Sequence, residues 1–193
     1  MRRVCVYCGS SRNVAAKYTD AARALGRALA ERGVGLVYGG GRFGMMGAVA
    51  EAVHEAGGAV TGVIPHDLAR LEQPPTWLSD LHFVDTMHQR KALMIEMSDA
   101  LVALPGGYGT LDEMFEALAW AQLAFHKHPC GMLNAGGYFD ALLSFLDHAV
   151  AEGFIQPECR ELLIVASEPA ALLDCLANRP SPTASVWNLK PAT

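Results

Sequence analysis

Short apolar runs alternate along the chain with longer segments in which apolar residues recur at helical spacing. A short apolar run is typical of a buried strand and a period of about 3.6 residues is typical of a helix, so strands and helices are predicted in turn. The predicted strands are Arg3–Tyr7, Gly35–Tyr38, Ala59–Ile64, His82–Val84, Leu101–Leu104, Gly131–Leu133 and Leu162–Val165. The predicted helices lie near Val14–Arg32, Met45–Ala56, Met87–Ser98, Leu111–Phe125, Tyr138–Glu152 and Pro169–Ala177.

The strand pattern also indicates how the elements pack. Several strands are apolar throughout, which is typical of a parallel sheet covered on both faces. Together with the strand–helix order, this predicts an α/β fold, a Rossmann-like doubly wound and mostly parallel sheet with helices on both faces. We expect a single domain over residues 1–178 and a proline-containing C-terminal tail over residues 179–193.

Composition narrows the possible partners and the compartment. The formal net charge is −5 and no stripe of lysine or arginine occurs, which argues against nucleic acid as a partner. No apolar run is long enough to span a bilayer, so no membrane association is expected. The first apolar run ends at Gly9, too early for a signal peptide, and a cytoplasmic protein is therefore expected.

The cysteines do not suggest a disulfide framework or a metal site. There are five, an odd number. Cys5 and Cys8 form a C-x-x-C pattern, but they lie in a predicted strand, where residues three apart point to opposite faces. We expect both to be buried structural residues.

Three glycine-rich segments each follow a predicted strand and precede a predicted helix: Cys8–Ser11, Gly39–Gly44 and Pro105–Thr110. In a parallel sheet these segments meet at one edge, where ligands bind. Glycine allows close approach to backbone amides and a helix N-terminus attracts anions, so a phosphate site is predicted. For the second segment, ordinary tight turns remain an alternative. Its match to the dinucleotide fingerprint lacks the acidic residue that NAD binding requires.

Two charged groups accompany these segments. Thr110 and Glu113 match a capping box, with Thr110 as the N-cap, so Glu113 is a helix cap, a site residue or both. Arg90 and Lys91 stand near a helix start, where positive charge is unfavourable. They either face an anion or belong to an ordinary solvated helix start.

The motifs Gly39-Gly40-Gly41-x-x-Gly44-x-Met46-Gly47, Met87-x-x-Arg90-Lys91 and Pro105-Gly106-Gly107-x-Gly109-Thr110-x-x-Glu113 resemble the Lonely Guy family of cytokinin-activating phosphoribohydrolases. The resemblance extends from Val4 to about Ile164. It implies a Rossmann-like homodimer that cleaves the N-glycosidic bond of N6-substituted adenosine monophosphates, and often of AMP. No metal and no cofactor are expected.

The resemblance implies that Arg90 and Glu113 are catalytic. With the glycine-rich segments, it gives an expected substrate-binding set: Glu72, Arg90, Lys91, Gly106, Gly107, Tyr108, Gly109, Thr110, Glu113, Gly9, Ser10, Gly40 and Gly41. Glycosidic cleavage develops positive charge on the ribosyl centre. A carboxylate such as Glu113 can stabilise that charge, hold a ribose hydroxyl or orient water, and Arg90 can bind phosphate or fix the carboxylate.

Two rival functions remain open on the sequence. One is a Rossmann protein that binds nucleotides without catalysis. The other is a decarboxylase, a label often given to the resembled family, which requires pyridoxal phosphate and a Schiff-base lysine. Of the four lysines, only Lys91 is near the predicted site. The helix Leu111–Phe125 is apolar on nearly every side, so it is expected to be buried, either inside the domain or against a partner. Because the resemblance implies dimers, part of this helix is predicted to lie at a two-fold interface beside the active site.

Overall fold

A computed structural model of the chain describes residues 1–179. This part of the chain contains seven strands: β1 (Arg3–Tyr7), β2 (Gly35–Tyr38), β3 (Val60–Pro65), β4 (Asp80–Val84), β5 (Ala100–Ala103), β6 (Cys130–Leu133) and β7 (Leu163–Ala166). All neighbours pair in parallel, in the order β4-β3-β2-β1-β5-β6-β7. The predicted Rossmann-like fold is confirmed. The predicted C-terminal tail lies outside the described residues from position 180 onward.

Helices connect the strands. They are α1 (Ala16–Glu31), α2 (Gly44–Glu55), α3 (His66–Glu72), α4 (Met87–Glu96), α5 (Tyr108–Gln122), α6 (Asp140–Ala151), α7 (Pro157–Arg160) and α8 (Pro169–Asn178), with a 3₁₀ turn at Ala135–Gly137. Sequence periodicity missed α3 and α7. Helix α3 buries no residue and α7 is a single turn, so neither carries an apolar stripe.

None of the helices in the described residues is both long and apolar enough to cross a bilayer.

Helices cover both faces of the sheet. One core contains the inward side chains of α1, α2 and α8, and the other contains those of α4, α5 and α6. Each fully buried leucine, such as Leu25 and Leu29 of α1, contributes about 1.5–3 kcal/mol to folding. Cys5 faces the second core and Cys8 the first, as predicted. Burial raises the pKa of both thiols, which keeps them protonated and unreactive.

The strand order reverses between β1 and β5. From β1 the chain adds β2, β3 and β4 on one side, and then returns through α4 to place β5 on the other side of β1. Tyr7 of β1 pairs with Ala103 of β5, so the two strands end at the same level. The glycine-rich segments after β1, β2 and β5 therefore emerge side by side at the switch point, as the sequence predicted.

Candidate active site

A cavity of about 340 Å³ opens at this switch point. Its walls come from the segment Cys8–Ser11 after β1, from Gly39 after β2 and from the first turns of α5. Helices α3 and α4 contribute Glu72 and Arg90. Five elements distant in sequence thus meet around one space at the carboxyl edge of the sheet, where α/β proteins bind their ligands.

The start of α4 sets the position of Arg90. The Thr86 hydroxyl accepts a hydrogen bond from the Gln89 backbone N–H at 3.1 Å, and the Gln89 side chain accepts one from the Thr86 N–H at 3.2 Å. This capping box satisfies two N–H groups that a helix start otherwise leaves unpaired. Arg90 is the next residue, and its side chain is consequently directed from the first turn of α4 into the cavity.

The Arg90 guanidinium is held by the ends of two strands. Its Nε donates to the Val63 carbonyl and its Nη2 to the Gly39 carbonyl, each at 3.2 Å, and its side chain is 9% exposed. Gly39 is required for this arrangement because a Cβ at that position would overlap Nη2. A Cβ on Gly41 would likewise strike the Glu72 carboxylate. Glycines of the second segment therefore make room for two charged side chains.

Glu113 lies on α5, but it is not a helix cap. Helix α5 begins at Tyr108, Gly107 is its N-cap, and no side chain caps the helix. The predicted capping box at Thr110 and Glu113 is wrong because Tyr108 and Gly109 are already helical. Thr110 is therefore the third helical residue and Glu113 the sixth. From there the Glu113 carboxylate reaches the cavity and is not engaged with the helix terminus.

Burial has the largest effect on the pKa of Glu113. The side chain is 9% exposed, and Oε1 lies 3.8 Å from Nη1 of Arg90. Desolvation raises the pKa of Glu113 to about 7, against the opposing effect of the Arg90 charge. A carboxyl group with a pKa near neutrality is suited to exchanging a proton or to meeting a developing cation.

Glu72 contributes a second carboxylate to the cavity. It is the last residue of α3, and the following Gln73 ends the helix in a left-handed conformation with φ of 47°. Among the described residues, Oε2 of Glu72 is buried without a hydrogen-bond partner. A buried unpaired oxygen is costly, so a ligand hydroxyl that donates to Glu72 would relieve that cost.

The N-terminus of α5 opens into the cavity. Gly107, Gly109 and Thr110 line the cavity, and the first backbone N–H groups of a helix lack intrahelical acceptors. The helix dipole adds positive potential at the same point. Gly9 and Ser10 also line the cavity, and the Gly9 N–H is bonded to the Pro105 carbonyl just before this terminus.

The other predicted binding residues of the glycine-rich segments lie off the cavity wall. Tyr108 is 95% exposed. Gly106 lines a neighbouring cavity together with Gly107. Gly40 and Gly41 are buried below the surface that Gly39 contributes. The predicted binding residues of these segments that line the cavity are Gly9, Ser10, Gly107, Gly109 and Thr110.

Lys91 is engaged away from the cavity. Its Nζ lies 2.6 Å from a Glu116 carboxylate oxygen and 3.0 Å from one of Asp112. Burial lowers the pKa of Lys91, but the hydrogen bonds to Glu116 and Asp112 outweigh that effect and raise it overall. The protonated ammonium thus clamps α4 to α5, the helices that carry Arg90 and Glu113.

Sequence reasoning missed the apolar part of the cavity. Met46, Met87 and Met94 form one wall. Met46 and Met87 stand in the first turns of α2 and α4, where the chain enters a helix at the ligand edge of the sheet. A methionine at such a position is the feature of the sequence that could have indicated an apolar binding surface, because its flexible side chain adapts to the shape of a ligand.

Solved structures share the fold. A molybdenum cofactor carrier protein from Chlamydomonas reinhardtii superposes with a TM-score of 0.70 over 92% of this chain and 99% of that chain, at 22% identity. A molybdenum cofactor binding protein from Rippkaea orientalis gives a TM-score of 0.69, covering 92% of this chain and 96% of that one, at 20% identity. At such identities the similarity concerns the fold alone.

Sequence relatives are much closer. A family model described as "Possible lysine decarboxylase" matches residues 46–176. A probable cytokinin riboside 5′-monophosphate phosphoribohydrolase of Oryza sativa subsp. japonica is 51% identical over 91% of this chain and 72% of its own length. A cytokinin riboside 5′-monophosphate phosphoribohydrolase of Arabidopsis thaliana is 51% identical over 86% of this chain and 77% of its own. The chain therefore belongs to the Lonely Guy family of cytokinin riboside 5′-monophosphate phosphoribohydrolases.

Proposed function

We propose that this protein hydrolyses the N-glycosidic bond of adenosine 5′-monophosphates, including N6-modified ones, and releases the free base and ribose 5-phosphate. The observation that carries the proposal is the position of the buried Glu113–Arg90 pair beside the N-terminus of α5 in one cavity. The names of relatives at 51% identity agree with this chemistry.

The cavity supplies a recognition element for each part of such a nucleotide. The amides of Gly107, Gly109 and Thr110 are suited to the 5′-phosphate. The unpaired Glu72 oxygen is suited to accept a hydrogen bond from a ribose hydroxyl. The methionine wall is suited to the flat apolar faces of the base. Gly9 and Ser10 line the same cavity.

In the proposed reaction the bond between ribose C1′ and the base nitrogen breaks, and its electron pair leaves with the base. The water oxygen forms the new bond to C1′, one water proton is lost and the base nitrogen gains one. Positive charge develops at the ribosyl centre during this step. The ionised Glu113 carboxylate stabilises that charge or accepts the water proton. Burial raises the pKa of Glu113, whereas the positive charge of Arg90 lowers this pKa and so favours the ionised carboxylate.

Product analysis tests the proposal. The purified protein is incubated with AMP and with N6-isopentenyl-AMP, and the products are separated by chromatography. Both nucleotides are expected to yield free base, and the ratio of their kcat/KM values identifies the preferred substrate. Saturable binding of both nucleotides without release of either base would contradict the proposal and favour a non-catalytic nucleotide-binding protein.

The state of Lys91 argues against the decarboxylase alternative. A Schiff-base lysine must be deprotonated to attack a carbonyl carbon. The hydrogen bonds to Glu116 and Asp112 keep the pKa of Lys91 above its ordinary value. This lysine is thus a structural cation, which favours hydrolysis over Schiff-base chemistry at this site.

Replacing Arg90 with lysine is expected to lower kcat/KM for AMP at least tenfold. An ammonium cannot span the Val63 and Gly39 carbonyls while approaching Glu113, because it lacks the planar fork. Steady-state assays of base release measure the effect. The matched control is Arg23→Lys on the exposed surface of α1, which should leave the rate unchanged. If Arg90→Lys shows near-normal kinetics, any positive charge suffices at this position and the planar guanidinium has no specific role.

We also propose that the protein is a homodimer that forms through α5 and the segment around α7. Helix α5 buries only part of its apolar surface in the single chain. Phe125 beyond its end is 74% exposed, and Phe154 nearby in the fold is 86% exposed. A groove of about 190 Å³ beside α5 is lined by Phe115, Leu118 and Ile155. Exposed apolar surface of this kind is typical of an interface.

Light scattering at micromolar concentration is expected to give twice the 20.6 kDa mass of one chain. Ala119 is exposed on α5 and lines the groove, so Ala119→Arg places a charge in the proposed interface and should reduce the mass to that of one chain. Ala171→Arg, at an exposed position of α8, should leave the mass unchanged. A monomeric unsubstituted protein, or a dimeric Ala119→Arg variant, would contradict this interface.

A further inference from the structure

The segment after β6 reaches across to the glycine-rich segment after β5. The hydroxyl of Tyr138 donates a hydrogen bond to the Gly106 carbonyl at 2.8 Å. The Gly9 N–H donates to the preceding carbonyl, that of Pro105, at 3.1 Å. Two successive carbonyls just before α5 are therefore each held by a segment that follows a neighbouring strand.

The geometry of the peptide bond gives this contact a direction. In a planar trans peptide, the carbonyl of one residue points opposite to the N–H of the next. The described residues contain no cis peptide bond. By holding the Gly106 carbonyl, Tyr138 therefore fixes the Gly107 N–H on the opposite side of the loop.

Gly107 belongs to the wall of the candidate active site. Tyr138 and Gly106 line a second cavity, which shares Gly9, Ser11 and Gly107 with the active-site cavity. Neither Tyr138 nor Gly106 lines the active-site cavity, whereas Gly107 does. An N–H of Gly107 that points away from Tyr138 is consequently directed toward the space proposed for the 5′-phosphate.

Tyr138 is itself held in place. Its ring packs edge-on against Tyr18 at 5.4 Å and against Phe139 at 4.9 Å between ring centroids. The turn that carries it is tied by Asn134, which accepts a hydrogen bond from the Phe139 N–H at 2.8 Å and donates one to Asp140 at 2.7 Å. The ring is braced on two sides, so its hydroxyl reaches Gly106 from a fixed position even though the residue is 43% exposed.

We infer that Tyr138 is a positioning residue for phosphate recognition, acting through the Gly106–Gly107 peptide. The inference rests on the proposed function, because the phosphate it positions is that of the proposed nucleotide substrate. Nucleotides and ribose 5-phosphate share this group, and ribosides lack it. The phosphate does not react, so a weaker contact with it changes binding of substrate and transition state alike. Loss of the hydroxyl should therefore affect KM and leave kcat nearly unchanged.

Tyr138→Phe tests the inference, because it removes the hydroxyl and keeps the ring. We expect KM for AMP to rise about five- to tenfold, as for loss of one hydrogen bond of about 1–1.5 kcal/mol, with kcat within twofold. The kcat/KM for adenosine should not change. Tyr18→Phe removes the hydroxyl of the neighbouring ring and serves as the matched control, with both substrates unaffected. An unchanged KM for AMP, or equal losses with AMP and adenosine, would overturn the inference.

Calorimetry separates this inference from the proposed reaction. Tyr138→Phe should raise the Kd of ribose 5-phosphate about five- to tenfold while the protein keeps the Tm of the unsubstituted chain. If the unsubstituted protein releases base but the Kd is unchanged in the variant, the role of Tyr138 is wrong and the proposed function stands. If no base is released and yet the Kd rises, the proposed reaction fails and phosphate positioning by Tyr138 is retained.

Discussion

Glu113→Gln is expected to lower kcat for base release about a thousandfold, because an amide cannot be ionised. A positioned carboxylate contributes on the order of 10²–10⁴-fold to a rate through proton transfer or charge stabilisation. Glutamine has nearly the same shape, so the variant should fold and should still bind AMP. Glu96→Gln makes the same chemical change at an exposed position on α4 and should leave kcat unaltered. Activity within a few-fold of the unsubstituted protein would remove Glu113 from the mechanism.

The same variant should be more stable than the unsubstituted protein at pH 8. Burial raises the pKa of Glu113 from its ordinary value of 4.5 to about 7. Between these values the folded protein holds a proton that the unfolded chain has released, so stability falls as the pH rises from 4.5 through 7. Glutamine does not titrate, and its advantage in Tm should be present at pH 8 and absent at pH 4. A lower Tm for Glu113→Gln at pH 8 would indicate that the carboxylate stabilises the fold.

The 5′-phosphate is expected to raise kcat/KM for AMP at least a hundredfold over that for adenosine. The amides at the start of α5 are suited to charge-assisted hydrogen bonds, each worth about 1.5–3 kcal/mol. Loss of two such bonds corresponds to roughly 10²–10⁴ in kcat/KM. A neutral riboside also leaves the N–H groups unpaired inside the cavity.

Initial rates with AMP and adenosine under identical conditions measure this discrimination. Deoxyadenosine monophosphate, which keeps the phosphate, is a useful companion because it reports on the ribose hydroxyls separately. Comparable kcat/KM values for AMP and adenosine would mean that the glycine-rich segments do not recognise phosphate. The protein would then be a nucleosidase, or would bind another class of ligand.

The sheet and the convergence of the three glycine-rich segments followed from local patterns. Fully apolar runs such as Gly35–Tyr38 are strands because both faces of the sheet are covered, and this strand was predicted at its observed bounds. The three glycine-rich segments converge because parallel strands end at one edge. Both properties depend on the order and composition of neighbouring residues, which a single sequence displays.

The roles of individual glycines did not follow from spacing. Gly39 and Gly41 match a phosphate-binding fingerprint, yet they provide room for Arg90 and Glu72, which arrive from α4 and α3. Helix α3 could not be predicted because it packs no residue into the core. A requirement for space is created by a side chain distant in sequence, and it is visible only once the elements are packed.

The contacts of the charged residues around α5 could not be predicted from the sequence either, because they too depend on how distant elements pack. Thr110 and Glu113 have the spacing of a capping box, but the helix starts earlier, at Tyr108. Spacing left open whether Lys91 faces an anion or solvent, and the resemblance placed it in the substrate-binding set beside Arg90. In the structure consecutive helical residues face different neighbours, so Arg90 reaches the cavity and Lys91 reaches Glu116.

Quantifying both products of AMP cleavage tests the proposed reaction most directly. The purified protein is incubated with AMP, and adenine and ribose 5-phosphate are measured in the same samples over time. If hydrolysis occurs in the Glu113–Arg90 cavity, the unsubstituted protein releases the two products in equal amounts. Glu113→Gln should then release each product at no more than about a thousandth of the rate of the unsubstituted protein. Bound AMP recovered intact, or adenine release that persists at the normal rate in Glu113→Gln, would contradict it.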